Sequence, residues 1–196
     1  MVRPREFDEA EVLSAALKCF WARGFEATSM RDLIARTGIT GASLYNAFGD
    51  KRALYEKALD RYVEGSVAAR IERCSALPPR EAIEAFFADI VARSLGDPDR
   101  KGCMLVNAAL EVAPHDPAIR RAVAGVLTEI ETFFRQCILA GQADGSIAHS
   151  QPADDLARHL LGILMGLRVL ARVRPERALL EGLLRPAMAL LEPRPN

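Results

Sequence analysis

Two short stretches carry side chains whose types and spacing could do chemistry. In the first, Gly41, Ala42, Ser43, Tyr45, Asn46 and Ala47 lie mostly on the outward side of one short helix, because Leu44 and Phe48, one turn apart, turn inward. Hydroxyl and amide groups beside small residues suit hydrogen bonding to base edges and phosphates at close range. In the second, Cys103, Asn107 and Glu111 recur every fourth residue and line one helix face. Cys103 opens that helix next to Arg100 and Lys101, where the helix dipole and both cations would favour its thiolate. A small ligand could be sensed on that face, or Cys103 could itself be oxidised. The plainer alternative is a buried small hydrophobe, an Asn107 bonded to nearby backbone and a surface Glu111.

The elements that must hold the first stretch are legible between residues 28 and 51. Ser29 with Asp32 three positions on is a capping box, Leu33 and Ile34 form an apolar stripe, and Gly38 supplies a left-handed stop. Ile39 plugs the turn, Thr40 caps a second helix that Gly49 closes, and Asp50 caps a third beginning at Lys51. Two short helices around a glycine turn are the helix-turn-helix plan, whose second helix enters the DNA major groove. An ordinary helical hairpin carries the same caps, so the pattern alone does not choose between them.

The run F-x-x-x-G-F-E-A-T-S-M-R-D-L-I-A-R-T-G-I-T-x-x-S-L-Y-N-A-F-G-D-K-R-A-L-Y lies within roughly residues 8 to 60 and closely resembles the N-terminal domain of the TetR family of transcriptional repressors. Phe25 after Gly24, Thr28, Gly38, Leu44-Tyr45, Phe48 and Lys51 all fall in register. The resemblance implies a three-helix DNA-binding domain over residues 1–50, with a linking helix from 51. A larger helical effector-binding and dimerisation domain would fill 51–196, for about nine helices in total. It implies DNA contact by Thr28, Ser29, Thr40, Gly41, Ala42, Ser43, Tyr45, Asn46 and Lys51, the last on a backbone phosphate. The partners expected are a palindromic double-stranded operator, a second copy of the chain and a small-molecule effector. Some family members carry a pair like Gly102-Cys103 at a similar place and respond to oxidants or electrophiles.

Composition bounds the rest. The chain has 196 residues, half of them apolar and 6% aromatic, and shows no alternating β-branched runs, which favours an all-α fold. Lys plus Arg and Asp plus Glu balance at 26 each, and residues 1–62 carry ten against nine, which argues against a general nucleic-acid coat but permits a local DNA surface. Four widely spaced cysteines without C-x-x-C read as reduced cytoplasmic thiols. His115, His149 and His159 are far apart, and there is neither a phosphate loop nor a G-x-S-x-G, so no metal, cofactor or enzyme activity is expected. The alternatives are an all-α interaction module and a thiol enzyme using Cys103. No apolar run approaches membrane-span length.

Along the chain, Arg3 and Arg5 sit in an N-terminal arm, and Val12, Leu13, Ala16, Leu17 and Phe20 form the stripe of a first helix. One long helix is expected from Lys51 to about Cys74, with Gly65-Ser66 as a soft spot. Later helices are expected near 80–95, 103–112, 116–144, 152–173 and from 175, the last kinked at Pro186. Phe86, Phe87, Met104 and Met165, with the Cys103 face, would suit an apolar effector. Leu160, Ile163, Leu164, Leu167, Leu180, Leu183 and Leu184 would line an isologous seam between two copies, with Gly162 and Gly166 allowing close approach.

Overall fold

The computed structural model describes residues 7–193, so Arg3 and Arg5 lie outside the described residues. These form ten α-helices and no strand: α1 Glu9–Arg23, α2 Met30–Thr37, α3 Gly41–Phe48, α4 Lys51–Tyr62, α5 Ala69–Ser75, α6 Pro79–Leu95, α7 Met104–Glu111, α8 Pro117–Asp144, α9 Ala153–Val173 and α10 Arg177–Ala189. The long helix expected from Lys51 is divided by a π-helical stretch, Val63–Ala68, which contains the Gly65-Ser66 soft spot. Counted as one rod, α4 through α5 brings the described helices to nine.

Local chemistry sets the element ends. Asp8 accepts from the Ala10 amide, Thr40 from Ser43 and Asp50 from Ala53, while Ser29 and Asp32 exchange both bonds of a capping box. Gly38 takes the left-handed conformation, φ 73°, and returns its amide to Ile34.

The chain divides into two compact units. The first comprises Met1–Gly65 together with Cys103–Arg121, so it passes residue 50 and gathers in α7 from further along the chain. Within it α1 packs on α2 and α4 over a core of Phe20, Leu33, Leu44, Leu54 and Tyr55. The second comprises Ser66–Gly102 and Ala122–Asn196. There α6 packs on α5, α9 and α10. Phe86 and Phe87 of α6 meet Phe133 and Phe134 of α8, with the Phe87 and Phe134 rings stacked 5.5 Å apart.

A second-unit glycine shows how tight this packing is. A Cβ on Gly141 would lie 2.6 Å from the Ile147 side chain, which is buried and closes the loop after α8 through a 2.9 Å bond from its amide to the Gly141 carbonyl. Alanine normally stabilises a helix relative to glycine. Gly141→Ala should instead destabilise the protein by about 1–3 kcal/mol through overpacking, read by urea denaturation. Ile147→Val in the same background should recover part of the loss.

Candidate nucleic-acid interface

The interface is built from α2, α3 and the groups that hold them. Phe25, the aromatic after Gly24, packs edge-on against Tyr55 with ring centroids 5.0 Å apart, and lies 6.3 Å from Phe20. Its other role is to carry Lys51, whose ammonium sits 4.3 Å from the Phe25 ring centroid. The Asp32 carboxyl is held down to about 2 by the Ser29 hydroxyl and amide and then by Arg23. It is therefore ionised at neutral pH and complements the positive end of α2.

α3 presents the outward side expected of it. Leu44 and Phe48 are buried, Tyr45 is 62% exposed, Ala42 and Asn46 are exposed, and Gly41, Ser43 and Ala47 are half-buried. A Cβ on Gly41 would lie 3.0 Å from Ile34, so the missing side chain lets α3 begin hard against α2. Thr40 donates its hydroxyl to Ser43 at 3.0 Å, which leaves the Ser43 proton for an outside acceptor. Arg31 on α2 is exposed and has no carboxylate partner among the described residues; charge counting alone did not single it out.

Two of the expected DNA residues are placed differently. Thr28 is fully buried, and its hydroxyl donates to the Gly24 carbonyl at 2.6 Å, so it ties the α1–α2 loop instead of facing a duplex. Its cap-type chemistry was readable from sequence, but the cap position belongs to Ser29, one residue on. Ser29 is exposed, yet its hydroxyl is spent on Asp32 at 2.6 Å, leaving it a positioning role.

The second chemical stretch lies in the same compact unit as the interface. Cys103 is the N-cap residue of α7 and is buried, and the Tyr62 hydroxyl donates to its Sγ at 3.4 Å. Nearby Lys101 is committed to Asp99 and Asp97 through bonds of 2.7 and 3.1 Å. Glu111 is half-buried, and it accepts from the Glu26 amide at 2.7 Å. It can do so because Gly24 has no Cβ, which would lie 2.6 Å from Glu111 Oε2. Burial, then the Glu111 charge, push the Tyr55 phenol above its usual range. Further on, Asp116 receives a bidentate bond from Arg52 at the start of α4.

The remaining expected residues separate. Phe86, Phe87 and Met165 fall in the second unit, whereas Cys103, Met104, Asn107 and Glu111 fall in the first. Phe86, Phe87 and Met104 are each about 1% exposed. Of the residues assigned to a seam between copies, Leu160, Leu164, Leu167 and Leu180 are buried in the chain itself and offer nothing to a partner. Ile163, Leu183 and Leu184 are half-buried. An apolar count cannot tell which side of such a helix its own fold takes. The uncovered stripe of α9 is Gly162, Gly166, Val169 and Val173, with the valines 44% and 68% exposed. Both glycines face open space.

Among the described residues no group of His, Cys, Asp or Glu could hold a metal ion, and no helix is long and apolar enough to cross a membrane. The profile described as "Bacterial regulatory proteins, tetR family" matches residues 12–58, and that described as "Tetracyclin repressor-like, C-terminal domain" matches 79–186. The HTH-type transcriptional regulator YezE of Bacillus subtilis is 36% identical over 176 residues, covering 88% of this chain and 90% of its own. The HTH-type transcriptional repressor ComR of Escherichia coli is 30% identical over 172 residues, covering 87% of this chain and 82% of its own. A solved structure of a cysteine-substituted CifR, a TetR family transcriptional regulator complexed with 26-bp operator DNA, superposes with a TM-score of 0.84 at 32% identity. It covers 96% of this chain and 99% of that one.

Two outcomes follow from the buried threonine and the capping box. Thr28→Ala should destabilise by about 1–2 kcal/mol in urea, because the Gly24 carbonyl loses its partner, while the folded variant keeps its affinity for DNA. Asp32 is depressed from 3.8 to about 2 on folding, so its contribution is complete above pH 4 and fades as pH falls towards 2. The acid limb of Tm against pH should therefore be shallower in Asp32→Asn than in wild type.

Proposed function

The chain belongs to the TetR family of transcriptional regulators, and on that premise we propose that it is a repressor that binds a palindromic operator as a homodimer and releases it on sensing a small molecule or a thiol-reactive agent. The observation that carries the reading is the outward side of α3: Tyr45 exposed beside Ala42 and Asn46, on a helix whose ends are fixed by Thr40 and Gly49. In this reading Asn46 and Ser43 take base edges, while Tyr45, Lys51 and Arg31 take phosphates. One such helix reads few base pairs, so a two-fold pair on successive major grooves supplies the address. The open stripe of Gly162, Gly166, Val169 and Val173 supports a helix-to-helix seam of small residues. Operator complexes of CifR support the DNA partner. Chromosomal DNA as target makes the cytoplasm the working compartment, and no catalytic step enters the mechanism.

Release is proposed to run through α7. Displacing Cys103 from the Tyr62 hydroxyl, by a ligand or by oxidation, shifts the helix whose other end carries Glu111. That loosens the Glu26 amide and the loop from which α2 starts. Two recognition helices must keep a spacing of about 34–36 Å, so a small loss of order at each is enough to lower affinity.

Tyr45→Ala combined with Asn46→Ala should lower affinity for the DNA upstream of the protein's own gene by about 100-fold or more, read by fluorescence anisotropy, since each lost contact is worth about 1–3 kcal/mol. The sedimentation profile should remain that of a dimer. An interaction module would show no DNA binding to lose. If Cys103→Ser still releases operator when treated with peroxide or N-ethylmaleimide, the thiol arm of the reading is wrong and the ligand arm is left.

A further inference from the structure

A groove of about 310 Å³ lies on the second unit between α6 and α10. The two helices run antiparallel, since Arg80 at the start of α6 reaches Glu192 beyond the end of α10 at 3.5 Å. Phe87 and Val91, both buried, form the floor on one side, with half-buried Leu184 and Met188 on the other. Ala88 and Ala92, one turn apart on α6, keep the opening clear: both are exposed, and a longer side chain at either would close it. Leu184, one of the residues expected in a seam between copies, lines the groove. Its volume and its apolar lining suit a small molecule.

The charged groups at the rim are unevenly matched. At one end Arg177 and Glu181 of α10 pair with each other at 3.0 Å, one charge against one. At the other, Arg80 serves two carboxylates, Glu84 at 2.8 Å and Glu192 at 3.5 Å. The charged lining residues and their ion-pair partners therefore comprise three carboxylates, Glu84, Glu181 and Glu192, against two arginines, and the surplus sits at the Glu84 end. Glu84 is the carboxylate there that lines the groove. Its Oε1 accepts from Arg80 Nε, and its Oε2 meets no donor among the described residues. An exposed pair four residues apart holds its partners weakly, so Glu84 can turn to an incoming cation at little cost.

We propose that this groove binds an amphiphilic amine, whose apolar body lies along Phe87, Val91, Leu184 and Met188 and whose ammonium group meets Glu84. Removing apolar surface from water supplies the attraction, and the carboxylate sets the orientation and the charge preference. The inference rests on the small-molecule arm of the reading above, and gives that arm a place and a ligand class of its own, apart from the Cys103 face.

The test uses the full chain at fixed ionic strength, with phenylbutylamine set against the neutral phenylbutanol and the anionic phenylbutyrate. Calorimetry and Tm read binding, and anisotropy reads operator release. The amine should bind saturably, raise Tm and bind about tenfold more tightly than the alcohol, with the anion weakest. Glu84→Gln changes an exposed side chain with little change of shape, so it should fold normally and bring the amine down to the level of the alcohol. Ala88→Leu should fill the groove and abolish binding of both while keeping the wild-type sedimentation profile. Failure of the amine to bind wild type, an alcohol or anion that binds as tightly, or undiminished amine binding by either variant would each overturn the proposal. So would a monomeric Ala88→Leu, because a second copy would then be the occupant of the groove. Amine binding that leaves operator affinity unchanged would uphold the site and sink its effector role. Operator release by neutral compounds or thiol reagents, with no amine bound, would sink the site and spare the regulator reading.

Discussion

The bond from the Glu26 amide to the Glu111 carboxylate joins residues 85 apart in the chain and ties the loop between α1 and α2 to the end of α7. Much of the first unit depends on it. The loop it holds also contains Gly24, whose bare α-carbon makes room for the carboxylate, Phe25, which carries Lys51, and Thr28, whose hydroxyl returns to the Gly24 carbonyl. From that loop α2 starts, and α3 packs against α2 through Gly41 and Ile34. A recognition surface made of small residues has no bulk of its own to fix its position, so its precision comes from this support.

The parts of this arrangement that rest on local rules were readable in advance. The capping box of Ser29 and Asp32, the left-handed Gly38, and the caps at Thr40 and Asp50 are each decided within four residues, and the structure repeats them. The inward turn of Leu44 and Phe48 follows from helical period alone. What sequence could not supply was long-range. Nothing local to Glu111 says that its partner is an amide 85 residues earlier, and Thr28 carries the composition of a cap while serving as a buried tie. Four of the seven residues expected in a seam of α9 and α10 lie in the chain's own core for a related reason. A helix apolar around most of its circumference announces that two sides are covered, but its own fold takes Leu160, Leu164, Leu167 and Leu180, and the weakly apolar side with two glycines is the one left open.

The two units also differ in how they use charge. In the first, several cations are paired or parked, Arg52 on Asp116 and Glu56, Arg23 on Asp32 and Lys51 over an aromatic ring, while Arg31 stays open on α2. This agrees with the near balance of charge over residues 1–62, and it suits a surface that recognises by fit more than by bulk attraction. In the second unit three arginines, Arg70, Arg73 and Arg93, share the single carboxylate of Asp89. Evenly balanced totals conceal that asymmetry, because 26 against 26 is a sum over the chain and not over a site.

The chain crosses between the two units at three places. One lies at Gly65–Ser66, inside the π-helical stretch that interrupts the rod from Lys51 to Ser75. Another lies at Gly102–Cys103, where Gly102 holds φ 70° immediately before the thiol. The third lies within α8, between Arg121 and Ala122, where the helix is unbroken. The three are mechanically unlike. A continuous helix passes rotation and translation on with little loss, whereas a π stretch with a glycine and a left-handed glycine can absorb dihedral change. The first turn of α8 follows directly on Asp116, which is bonded to Arg52 at the start of α4. Glu111 lies five residues before Asp116 on the same segment. The bonds from Glu26 to Glu111 and from Arg52 to Asp116 thus fall on one short segment, which they tie to the α1–α2 loop and to α4 within the first unit.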